Sequence, residues 1–197
     1  VFGKSWDLHV RDVLRTTPGE NLAMIRDTVA FFKARGRMVA FDAEHFFDGY
    51  RGNPGYARQT VLAARDAGAD RIVLCDTNGG TFPEEIGRVT GEMVALLGVP
   101  VGIHAHNDTG CAVAAAMAAV EAGAAQVQGT YIGFGERCGN TNLSTVIPNL
   151  QLKRGYRCIP EDRMVRIGKT ARYIAQVANL ALPANMPYVG RSAFAHK

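Results

Sequence analysis

The feature that most constrains this chain is a recurring glycine. Gly36, Gly68, Gly98 and Gly123 each follow a helix-like stretch and precede a short apolar run that ends in polar residues. The runs are "MVAFDAEH" (38–45), "RIVLCDTNGG" (71–80), "VGIHAHND" (101–108) and "AQVQGTYIGFGE" (125–136). The glycines lie 32, 30 and 25 residues apart, and glycine just past a helix is the usual end signal. Between them the chain reads as helix. In "TTPGENLAMIRDTVAFFKARG", Thr17 is the expected N-cap, Pro18 the first helical residue and Glu20 the partner of a capping box. Leu22, Ile25, Val29 and Phe32 then share one face. Further helices are expected to open near Pro54 and Pro83, and an Ala-rich one follows Cys111. Such alternation predicts right-handed βαβ units and a parallel sheet. The nearly continuous apolar strands fit a sheet covered on both faces. With the opening "VFGKSW", five strands are expected, over 1–6, 38–44, 71–76, 100–106 and 125–132, and His9 falls in the loop after the first.

The polar residues at the strand ends select the architecture. Asp42 and Glu44, Asp76 and Thr77, His104 and His106, and Glu136 and Asn140 all sit at C-terminal ends of strands. A doubly wound sheet gathers functional groups only at its switch point. A (β/α)8 barrel gathers them from every strand. Four consecutive strands contributing together favour the barrel. A complete barrel needs about 250 residues, and five units are visible. The expected fold is therefore the C-terminal part of a (β/α)8 TIM barrel over 1–150. A helical extension and the start of a linker or accessory region follow over 151–197, ending in a loop or docking segment. The absence of an initial Met agrees with a fragment.

Composition narrows the class. No apolar run approaches the ~20 residues of a membrane span, and the start lacks a basic region followed by an apolar stretch. Cys75, Cys111, Cys138 and Cys158 form no CxxC pair, so reduced thiols and a cytoplasmic location are expected. The net charge of +4 suits an anionic substrate. Lys and Arg are scattered without aromatic partners, which argues against nucleic acid.

His104 and His106 carry the sharpest chemical signal. On a strand, residues two apart face the same way, about 6–7 Å apart. Two imidazoles so placed could clamp one metal ion, or they could be strand-end residues bonded to neighbours. Oxygen donors nearby favour the metal: Asp76 ends the preceding strand, and Asn140 follows the next. Imidazoles with oxygen ligands suit Zn, Mn, Co or Mg, and no cysteine is placed to help. Two other HxH classes fail. Amidohydrolases need several later histidines, and only His196 follows; the HxHxDH pattern of metallo-β-lactamases has Thr109 in place of its last His.

"HAHND" followed about 30 residues later by "GERCGN" resembles the metal-dependent barrel enzymes that condense acetyl-CoA with a 2-oxo acid. These are the 2-isopropylmalate, homocitrate and citramalate synthases, with hydroxymethylglutaryl-CoA lyase as a relative. "AEHFFDGYRGNP", "VLCDTNGG" and "NLSTVIPNLQLK" look most like the citramalate synthase branch. The lyases carry a Cys-containing glycine loop where this chain has Glu136-Arg137. One departure is Ile132, where the common NGxGERxGN motif begins with Asn.

The resemblance implies roles. His104, His106 and Asn140 would be metal ligands for a divalent ion (Mn, Mg, Zn or Co), with a carboxylate ligand from an earlier strand. Glu44 would be the catalytic carboxylate, Thr77 would contact the 2-oxo acid carboxylate, and His9 would line the substrate side. Carboxylates such as Asp76 or Asp108 would orient the imidazoles, Asp42 would stand behind Glu44 on the same strand face, and His45 would be structural. Glu136 and Arg137 would brace the loop around Asn140. The implied partners are acetyl-CoA and a 2-oxo acid, pyruvate first among them. A homodimer is implied for the full-length protein, with no nucleic acid and no membrane. The 197-residue fragment alone is expected to be inactive.

Overall fold

A computed structural model describes residues 1–195; His196 and Lys197, the last of the expected docking tail, lie outside the described residues. The chain forms two compact units, one over Val1–Gln128 and one from Gly129 onward. All five strands lie in the first: β1 (Phe2–Lys4), β2 (Ala40–Glu44), β3 (Arg71–Asp76), β4 (Val101–Ala105) and β5 (Gln126–Gln128). They pair in parallel in the order β1-β2-β3-β4-β5. A sheet that advances one strand at a time, with right-handed crossovers, carries all its helices on one side. That is the wall of a barrel and not a doubly wound sheet, whose order would reverse.

The side-chain contacts show the curl directly. β2 and β5 are three strands apart, about 14 Å along a flat sheet at ~4.8 Å per strand. Yet Gln128 Nε2 on β5 donates to Asp42 Oδ1 on β2 at 3.0 Å. Arg71 on β3 likewise donates to Gln126 Oε1 on β5 at 3.0 Å. The sheet is rolled, with these polar side chains on its concave face.

The convex face is the core. Phe41, Ala43, Ile72, Leu74, Ile103 and Ala105 are buried there, alternating with the polar residues of the concave side. They meet α2 (Pro18–Lys33), α4 (Pro54–Asp66), α5 (Pro83–Leu97) and α6 (Ala112–Glu121), which contribute Val29, Val61, Ile86, Val89, Met93 and Ala116. Helix starts agree with the sequence. Thr17 Oγ1 accepts from the Glu20 amide at 3.2 Å, and Asn53 Oδ1 accepts from the Tyr56 amide at 3.1 Å. Gly36, Gly68, Gly98 and Gly123 all have positive φ.

The elements differ from expectation in three places. The segment after β1 is a helix, α1 (Asp7–Asp12), so His9 lies on a helix and not in a loop. A further helix, α3 (Phe46–Gly52), follows β2 directly, because Phe46, Phe47 and Tyr50 bury against the core. The fifth strand ends at Gln128 and not at 132, since Tyr131–Gly133 turns as a 3-10 helix with Ile132 at φ 58°.

The second unit holds α7 (Leu143–Pro148) and α8 (Ile167–Val177), joined by short 3-10 and π turns. Its own core is Ile167, Ala171 and Val189, against which Tyr131, Ile132, Ile147 and Met186 pack. An aliphatic side chain at 132, where the common motif has Asn, therefore serves this core. No described helix is long and apolar enough to cross a membrane.

Candidate active site

The concave face of the first unit presents Lys4, Asp42, Glu44, Cys75, His104, His106 and Gln128. Strand register sets them in rows: Lys4 beside Glu44, Cys75 beside His104, and His104 beside Gln128. Gly102 keeps the floor shallow, because a Cβ there would meet Val73 Cγ2 at 3.1 Å and Gln126 Cβ at 3.3 Å.

His104 and His106 come together as the alternation requires, with ring centroids 5.3 Å apart. His104 Nδ1 lies 2.9 Å from Gln128 Oε1. An amide, and not a carboxylate as expected, is therefore the direct partner of this ring. Behind Gln128 stands Asp42, whose carboxyl is pushed up from its ordinary pKa by burial and held back by the hydrogen bond from Gln128.

Asp76 has another task than ligation. Its two oxygens accept from the Thr81 amide at 3.2 Å and the Thr81 hydroxyl at 3.0 Å, which pins the turn after β3. Burial raises its pKa and those hydrogen bonds lower it. The turn packs tightly against the segment after β4. Gly79 has φ +61°, and a Cβ there would lie 2.8 Å from both the Asp108 amide nitrogen and the His106 carbonyl carbon. The Gly79 carbonyl accepts from the Thr109 amide at 3.2 Å and hydroxyl at 2.9 Å. Cys75, which belongs to no site motif in the sequence, lies on the floor of the site beside His104. Burial, followed by the nearby Asp42, Glu44 and Asp76 carboxylates, pushes its thiol well up, so it stays protonated.

Glu44 Oε2 forms an ion pair with Lys4 Nζ at 2.7 Å. The residues that follow bring three aromatic rings together. His9 stacks on Trp6 with centroids 4.8 Å apart and meets the His45 ring at 4.2 Å. His9 Nδ1 is buried without a hydrogen-bond partner among the described residues. Desolvation, then the neighbouring His45 and Lys4, lowers the His9 pKa, while Glu44 and Asp48 oppose this. His45 adopts a left-handed backbone at φ 55°; its ring faces Asp48 Oδ2 at 3.2 Å, and its amide donates to Thr77 Oγ1 at 2.8 Å. These bonds agree with a structural His45, and they tie Thr77 to the end of β2.

Asn140 belongs to the second unit. Its amide donates to the Gly133 carbonyl at 3.0 Å and its Nδ2 reaches Phe134 O at 3.4 Å. Its Oδ1 is buried without a partner among the described residues, as suits an oxygen kept for a ligand. The loop depends on Gly139, at φ +94°, where a Cβ would fall 2.0 Å from Gly133 O. The Gly139 amide donates to the Glu136 main-chain carbonyl at 2.9 Å, which closes the turn before Asn140. Among the described residues no group of three or more His, Cys, Asp and Glu is placed to hold a metal. Within the first unit the paired imidazoles of His104 and His106 are donors that fit a borderline or hard divalent ion.

Comparison with known proteins agrees with this picture. Over its whole length the chain is 54% identical to the (R)-citramalate synthase of Synechocystis sp., of which it spans 38%. Identity is 38% to a probable 2-isopropylmalate synthase of Methanopyrus kandleri, again over the whole chain and 38% of the relative. The fold superposes on the HMG-CoA lyase of Bacillus subtilis with a TM-score of 0.76 at 18% identity, covering 94% of this chain and 64% of the lyase. The HMGL-like pattern matches residues 1–179, and the chain belongs to that family.

Proposed function

We propose that the full-length protein carrying this chain condenses acetyl-CoA with pyruvate to give citramalate and CoA. One observation carries the choice of substrate: identity to the citramalate synthase is 54%, against 38% to the probable 2-isopropylmalate synthase, over the same residues. Condensation with another 2-oxo acid, as in a 2-isopropylmalate or homocitrate synthase reaction, is the runner-up.

The residues divide the chemistry. The methyl group of an acetyl thioester is a poor carbon acid, so a positioned base must act together with charge stabilisation. Glu44 takes that proton; Lys4 anchors its Oε2, and the other oxygen is the acceptor. Thr77, held by the His45 amide, binds the 2-oxo acid carboxylate. His9, with its lowered pKa, presents a neutral imidazole beside the substrate. His104 and His106 would hold a divalent ion, with Asn140 as the amide ligand the family motif implies; such an ion would supply polarisation of the keto group. Carbon–carbon bond formation gives a thioester, and water then cleaves it to release CoA.

The test is thiol release from acetyl-CoA by the full-length protein with pyruvate, 2-oxoisovalerate and 2-oxoglutarate in turn. The highest kcat/KM is expected with pyruvate. Preference for a longer oxo acid would move the assignment to the isopropylmalate or homocitrate reaction.

A further inference from the structure

We propose that Asp42 and Gln128 form a positioning relay that fixes the His104 imidazole with its proton on Nδ1 and its lone pair on Nε2. The argument is one of donors and acceptors. A carboxylate only accepts hydrogen bonds, and a Gln side chain has one donating and one accepting end. Asp42 Oδ1 lies 3.0 Å from Gln128 Nε2, so the amide nitrogen is committed to Asp42. The amide oxygen is thereby turned toward His104, 2.9 Å from Nδ1. An oxygen acceptor demands a proton on the ring nitrogen it faces. The neutral ring carries only one proton, so Nε2 is bare and points away from Gln128.

The curl of the sheet is what allows the relay. Asp42 and Gln128 are on β2 and β5, and the bond between them crosses the concave face over β3 and β4. The anion that orients the ligand thus comes from a different strand and a distant part of the chain. A ring partner on the nitrogen opposite a metal sets both the tautomer and the ring orientation. The consequence for metal binding rests on the reading of His104 as a ligand; the tautomer itself does not.

The experiment uses the full-length protein, metal-free and labelled with ¹⁵N-histidine, at about pH 8, where an ordinary imidazole is neutral. Long-range ¹⁵N–¹H spectra report which ring nitrogen carries the proton. His104 is expected to be protonated on Nδ1, against the usual preference of a solvated histidine for Nε2. Gln128→Met keeps the length and removes the acceptor. It should return His104 to the Nε2-protonated form and weaken Co²⁺ binding by roughly 10–100-fold. The double variant Asp42→Asn/Gln128→Glu gives the new carboxylate an amide donor on one oxygen and leaves the other to face His104; it should recover both properties, which a merely structural role would not require. An Nε2-protonated His104 in the wild type, or an unchanged tautomer in Gln128→Met, overturns the proposal. Should Gln128→Met fail to fold, the wild-type spectrum still decides, together with Asp42→Asn, which should mix the two tautomers. A wild type that shows the Nδ1 proton but binds no Co²⁺ supports the relay and overturns the metal reading of His104.

Discussion

At the scale of single residues, Glu44 and Gly79 make separable demands. Glu44 faces the concave side with Lys4 at 2.7 Å, and in the proposed reaction it takes the proton and does not bind metal. Glu44→Gln should lower kcat by roughly 10²–10⁴, the usual range for a lost acid–base group, with metal content by elemental analysis unchanged. Loss of metal in that variant would assign it a different role. Gly79 supports His106 through backbone geometry. Its φ of +61° and the 2.8 Å approach to the next segment leave no room for a side chain. Gly79→Ala should cost about 1–3 kcal/mol, read by denaturant unfolding, and should weaken metal binding because the His106 backbone must shift. His9 gives a pH signature. Its folded pKa lies below the ordinary value of 6.5 because the ring is desolvated and stands beside His45 and Lys4. The unfolded chain therefore takes up this proton more readily than the folded one. The associated stability is complete above about pH 6.5 and declines as the pH falls toward the folded pKa. His9→Gln should flatten that part of a stability–pH curve; a curve identical to wild type would show that the ring does not titrate there.

At the scale of elements, caps and register place the site. The α2 helix starts at a Thr17 cap bonded to the Glu20 amide at 3.2 Å, followed by Pro18. Thr17→Ala should cost about 1 kcal/mol, a fall of ~2–4 °C in Tm for a domain of this size, with no change in metal affinity. A larger loss would mean that Thr17 does more than cap. The strands contribute through alternation. Along β4, Ile103 and Ala105 enter the core while His104 and His106 face the concave side. A one-residue slip in register would exchange the two sets. Gln126 and Gln128 share that concave face because β5 pairs Gly102 with Gln126 and His104 with Gln128.

At the scale of the whole molecule, the five-stranded sheet has two edges, on β1 and β5. Unpaired edge groups template association, and Phe2 on β1 is 74% exposed. Expressed on its own, the 197-residue chain, which spans 38% of the Synechocystis relative, should self-associate in sedimentation and release no thiol from acetyl-CoA with pyruvate. Turnover by a monomeric 197-residue chain would show that these strands suffice for the chemistry.

Periodicity, caps and turn glycines are local, so the sequence determined the order of strands and helices, the parallel sheet and the pairing of His104 with His106. The HAHND and GERCGN motifs likewise marked the family, because their residue types answer to chemistry and not to packing. What the sequence could not determine depends on distant parts of the chain. The end of β5 was set by Ile132 turning into the core of the second unit, which local β-propensity does not register. That Asp76 bonds Thr81 and that Gln128 meets His104 was decided by register and by the curl of the sheet. The only sequence sign of Gln128 was a pair of glutamines two apart in an otherwise apolar run. Asp42 and Gln128 are 86 residues apart, and only the rolled sheet brings carboxylate, amide and imidazole into one line.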